Sequence, residues 1–132
     1  MTTAAATVAV FNASDDTVEM LTEVLNHDGF LTVNGHVSDV KRGHTDFLAF
    51  VAEHDPQVII WDISPPYDKN WVFFTLLRSN VALCGRGVVV TTTHKEHLDQ
   101  MAGTDTGAIE IIGKPYDLGA IVAAVRKAIP AV

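Results

Sequence analysis

A three-layer α/β fold, with a parallel five-stranded sheet in the order 2-1-3-4-5, is predicted by two features of this chain. Five β-like runs alternate strictly with five helix-like runs. Such alternation implies parallel strands, helices on both faces and right-handed crossovers. Three of the strand runs are also nearly continuous in Val and Ile, the pattern of strands buried on both faces.

The first strand is expected over residues 7–12, after a small polar lead-in. The first helix, 14–27, starts after Ser14, an N-cap residue type, with Asp15 and Asp16 near the positive end of the helix dipole. Val18, Leu21 and Leu25 share its inner face, and Asp28-Gly29 stops it. The second strand, 30–35, leads to a helix over 43–54 that ends at Asp55-Pro56. The third strand, 57–62, carries Val58-Ile59-Ile60-Trp61 into Asp62. The third helix, 69–83, is unusually apolar, with Trp71, Phe73, Phe74, Leu76 and Leu77; core packing accounts for one face, and the excess suggests a partner surface. A fourth strand over 87–92, a helix over 95–101, a fifth strand over 108–112 and a helix over 117–129 complete the pattern. In the last helix Leu118, Ile121, Val122, Val125 and Ile129 fall on one side. Five such units give a flavodoxin-like arrangement.

The 132 residues read as one domain, 1–132, with no internal repeat or linker. No apolar stretch reaches membrane-spanning length, and no basic-then-apolar signal opens the chain. The net charge of −7, from 9 Lys+Arg against 16 Asp+Glu, argues against nucleic acid or anionic membrane as partner. The single Cys84 cannot form an internal disulfide, which suits a reducing cytoplasm.

In this topology the ends of strands 1, 3, 4 and 5 lie side by side. They carry Asn12-Ala13, Asp62, Thr91-Thr92-Thr93 and Lys114-Pro115. Ligands of open parallel sheets gather beyond these carboxyl ends. A carboxylate, a hydroxyl and an ammonium together suit an acyl phosphate: one attacks, one donates to a phosphoryl oxygen, one supplies positive charge.

With these residues the chain resembles the receiver domain of two-component response regulators. The likeness rests on Asp62 with Pro66 four residues on, on Val88-Val89-Val90 running into Thr92, and on the stretch Gly107-Ala108-Ile109-Glu110-Ile111-Ile112-Gly113-Lys114-Pro115. It implies that Asp62 is a phosphoacceptor, Thr92 the switch hydroxyl and Lys114 the phosphoryl-contacting lysine; the Thr run leaves Thr91 open as the alternative to Thr92. It implies a histidine kinase or phosphotransfer protein as donor, a downstream protein partner, a cis bond at Lys114-Pro115, and Mg²⁺ held by Asp62, Asn12 and the Ser64 carbonyl. Receivers often dimerise through their fourth helix, fifth strand and fifth helix, and a homodimer is left open here.

Three departures temper that expectation. The acidic pair that receivers use for Mg²⁺ is replaced, in a gap-free alignment, by Asn12 and Ala13. Mg²⁺ favours carboxylate oxygens, so its binding should be weak. Asp15 and Asp16 could take those positions only by shortening the first helix, although Asp15 could approach through water. Ile111 stands where an aromatic residue is usual, and Thr93 where a small one is usual. A pseudo-receiver that binds protein without phosphate is therefore the second reading. His94 and His97 have the i, i+3 spacing of a metal pair but no third ligand near in sequence, and read as helix surface. The run 12–17 lacks glycine and holds Asp15 and Asp16, which disfavours a flavin phosphate.

Overall fold

A computed structural model describes residues 5–102, 109–113 and 117–130. One five-stranded parallel sheet runs through it in the order β2-β1-β3-β4-β5, as the alternation predicts. The strands are β1 (Thr7–Asn12), β2 (Leu31–His36), β3 (Val58–Ile63), β4 (Gly87–Thr92) and β5 (Ile109–Gly113). The helices are α1 (Asp15–His27), α2 (Val37–Lys41), α3 (Phe47–His54), α4 (Tyr67–Arg78), α5 (Lys95–Ala102) and α6 (Leu118–Ala128).

Strand alternation divides the core into two layers. Val8, Val10, Val58, Ile60 and Val89 pack with Leu21 and Leu25 of α1 and Ile121 and Val125 of α6. Ala9, Phe11, Ile59, Trp61, Ile63 and Val90 face the other helices with Phe47, Phe74 and Leu98. On that side Trp61 stacks on Phe11 at 5.5 Å and on Phe74 at 5.6 Å between ring centroids, and Phe47 meets it edge-on at 5.3 Å. Such pairs add to the apolar burial that holds the layer together.

The structure departs from the expected helices in two places. The segment after β2 forms two helices where one, over 43–54, was expected. Val37 and Val40, three residues apart, bury one side of the short α2, and Gly43 then takes φ +76°, a left-handed conformation that ends it. Asp46 opens α3 by accepting from Ala49 N at 3.1 Å. The third expected helix, 69–83, begins at Tyr67 and stops at Arg78; a separate 3₁₀ turn, Val81–Leu83, follows. Asn80 accepts from Ala82 N at 2.9 Å and so starts that turn independently.

Candidate functional site

Parallel pairing fixes the site. In β1 and β3, Phe11 lies opposite Trp61, so the next residues along, Asn12 and Asp62, are neighbours at the strand ends. In β3 and β4, Asp62 lies opposite Thr91. Paired residues of parallel strands point to the same face, on strands about 4.8 Å apart. Asn12, Asp62 and Thr91 therefore form one row across the three central strands, continuing the face of Val10, Ile60 and Val89. The row is polar yet sealed: Asn12 is 0% exposed, Asp62 3% and Thr91 0%. Buried polar groups must find partners, and Thr91 Oγ1 donates to Asp62 Oδ1 at 2.8 Å.

Thr92 is one residue further along and leaves the sheet on the opposite face, beside Ile63. Its Oγ1 is buried and accepts from His94 N at 3.2 Å. The hydroxyl joined to Asp62 in this structure is thus that of Thr91. Lys114 and Pro115 lie outside the described residues, and so does the cis bond expected between them. A cis peptide is present between Pro65 and Pro66. Ile111 is buried in the layer of Trp61.

The loop that leaves Asp62 is tied from below. Asn70 of α4 donates through Nδ2 to the Ser64 carbonyl at 2.6 Å, and its Oδ1 accepts from Lys41 Nζ of α2 at 2.5 Å. Sequence reasoning missed this chain. Its one legible signal was a polar Asn70 one turn before Phe74, on the buried side of an apolar helix. The rim carries a further cluster. The hydroxyls of Tyr67 and Thr93 are 2.6 Å apart, joining the start of α4 to the loop after β4. His97 Nε2 meets Asp68 Oδ1 at 2.7 Å, and His94 stacks on His97 with ring centroids 5.4 Å apart. His94 is exposed and His97 partly so, in line with the surface expected for them, and both rings also lie against Tyr67.

Two of the oxygens that would hold Mg²⁺ with Asp62 already accept a protein N–H. Asn12 Oδ1 accepts from Ser14 N at 3.0 Å. The Ser64 carbonyl faces the Asn70 amide. Asp15, 87% exposed at its side chain, is paired with His36, and Ala13 is exposed and has no ligand atom. What Asn12 leaves over is Nδ2, a buried donor with no partner among the described residues. No group of three or more His, Cys, Asp or Glu gathers for a metal among the described residues. A hard cation wants several oxygens, and this arrangement does not fit one.

Comparisons with known proteins agree on the fold. The chain is similar to the chemotaxis protein CheY4 of Vibrio cholerae, with a TM-score of 0.74 and 19% identity over 95% of this chain and 99% of that one. It is equally similar to a signal receiver domain of a two-component histidine kinase from Clostridium thermocellum, with a TM-score of 0.74 and 19% identity over 94% and 97% of the chains. A response regulator from Thermotoga maritima superposes with a TM-score of 0.73 at 18% identity, over 96% and 98% of the chains. In sequence the chain is 25% identical over 108 residues to the transcriptional regulatory protein GltR of Pseudomonas aeruginosa, covering 82% of this chain and 42% of that protein. The chain thus spans less than half the length of that relative. No family model matches. The fold is that of CheY-like receiver domains.

Proposed function

We propose that this chain is a response-regulator receiver domain of phosphorelay signalling, a signalling module rather than an enzyme, with Asp62 as its phosphoacceptor. The observation that carries this reading is the buried row at the carboxyl ends of β1, β3 and β4, with Asp62 at its centre and the Thr91 hydroxyl on its carboxylate. In the reaction an Asp62 oxygen attacks phosphorus. The P–N bond to the donor histidine breaks, its electron pair returns to the imidazole, and a P–O bond forms. The donor is a histidine kinase or a phosphotransfer protein in the cytoplasm, and the product is read by a downstream protein. Thr91, whose hydroxyl already meets the Asp62 carboxylate, is assigned as the hydroxyl that responds to the phosphoryl group, and Lys114 as the ammonium. Thr91 holds the carboxylate before transfer. A net charge of −7 favours a protein partner over nucleic acid.

A second reading, a phosphate-independent protein-binding module, is favoured by Asn12, Ala13 and Ile111 at positions where receivers carry two acids and an aromatic residue. Incubation with acetyl phosphate, read by intact mass beside Asp62→Ala, separates the two. One phosphoryl adduct on wild type alone is the expected result. No adduct on folded wild type, together with a partner that binds wild type and Asp62→Ala equally, would favour the binding module.

A further inference from the structure

We infer that this site takes a phosphoryl oxyanion directly, without a divalent cation, and that the side-chain amide of Asn12 is the donor that holds it. This rests on the phosphoacceptor reading of Asp62.

The orientation of the Asn12 amide follows from its surroundings. Its Oδ1 accepts from Ser14 N at 3.0 Å. Turning the amide over would set two N–H groups against each other, so the NH₂ end faces the other way. That end is a buried donor with no partner among the described residues. A sealed, unpaired amide is costly to keep, and its retention is explained by a partner that arrives. The row geometry says where: Asn12 stands beside Asp62, one strand over and on the same face. An oxygen of a group bonded to Asp62 comes within reach of it.

The sign of the partner follows from the atoms. An N–H donor attracts an anionic oxygen and repels a cation. Of the atoms that would serve a cation, Asn12 Oδ1 and the Ser64 carbonyl already accept from protein N–H groups, and Asp62 Oδ1 accepts from the Thr91 hydroxyl. An acidic pair beside Asp62 would repel a phosphoryl group unless a cation stood between them. Asn12 and Ala13 remove both charges, and with them the need for that cation. In the transfer step the Asp62 oxygen attacks phosphorus, the bond to the leaving group breaks with its electron pair, and the charge on a peripheral oxygen is met by Asn12 N–H. Donors preset where charge develops are an effective form of stabilisation in a dry site.

The test uses the full chain with two probes, beryllofluoride followed by ¹⁹F NMR and acetyl phosphate followed by intact mass, each in EDTA and in Mg²⁺. Wild type is expected to form both adducts equally in EDTA and in Mg²⁺. Asn12→Asp keeps the acceptor for Ser14 N at the same volume but exchanges the donor for a carboxylate. Its affinity in EDTA should fall roughly ten- to a hundredfold, with Mg²⁺ restoring it. Ala13→Asp, at an exposed position, is the second variant should Asn12→Asp not fold, and should shift the same way. Adducts on wild type only in Mg²⁺, or a folded Asn12→Asp that binds in EDTA as wild type does, would overturn the inference and leave the receiver reading intact. Wild type that is folded yet forms neither adduct in either condition would overturn the inference, and the receiver reading falls with it if a partner also binds wild type and Asp62→Ala equally.

Discussion

Thr91 and Thr92 are chemically identical, and strand alternation sends them to opposite faces of the sheet. The first donates to a buried carboxylate; the second receives a backbone N–H from a loop. Their replacements should therefore differ. Thr91→Val removes a donor to a charged group in a sealed row and should cost about 1–3 kcal/mol of stability. Thr92→Val removes one loop hydrogen bond and should cost about 0.5–1.5 kcal/mol. Urea denaturation of both variants checks the order; a larger loss for Thr92→Val would mean that the Asp62–Thr91 bond contributes little. The sequence could not assign these roles. Three consecutive threonines give no alternation of polarity, and only pairing with β3 fixes which one meets Asp62. Asp62 itself was legible, because an apolar run that ends in a carboxylate and then prolines has few other uses. Asn70 was nearly illegible: its partners, Ser64 and Lys41, lie on other elements, and spacing along one helix does not report them.

At the scale of elements, strands and helices were read from two different kinds of signal, and they succeeded differently. Three of the strands carried Val and Ile runs, and the structure keeps all five within one residue of the expected bounds. Helix breaks depend on single residues, and here the sequence misled. Gly43 was read as a helix start and is instead the left-handed residue between α2 and α3. A second glycine shows how closely elements approach. A Cβ on Gly87 would sit 1.9 Å from the Ala128 carbonyl oxygen, so β4 begins in contact with the end of α6. Backbone cannot rotate away as a side chain can. Gly87→Ala should cost about 1–3 kcal/mol, or more if β4 shifts, measured by thermal or urea unfolding. An unchanged midpoint would mean that α6 yields at its last turn.

For the whole molecule, topology was the most legible property and the rim of the site the least. Strict alternation leaves few arrangements of five parallel strands, and the observed order is the one it favours. The pairing of Tyr67 with Thr93 and of Asp68 with His97 joins residues far apart in sequence. They depend on how α4 and α5 dock, which no local pattern encodes. The expected lysine at position 114 lies outside the described residues. The molecule is also unevenly covered: Val72 and Leu76 are exposed on α4 and Val81 on the turn after it, while Phe74 of the same helix is buried. The apolar excess noted in that helix is therefore real surface, not only core.

The packing of Trp61 gives the molecule an optical property. One of two tryptophans, it is 1% exposed, enclosed by Phe11, Phe47 and Phe74, and directly precedes Asp62. Trp71→Phe leaves Trp61 as the sole indole emitter. In that variant fluorescence should resist acrylamide quenching until the chain unfolds, whereas rapid quenching of the folded protein would contradict the sealed aromatic layer. Any chemistry at Asp62 takes place one peptide unit from this shielded fluorophore, so the protein carries its own light-based reporter of the strand on which its signal would be written.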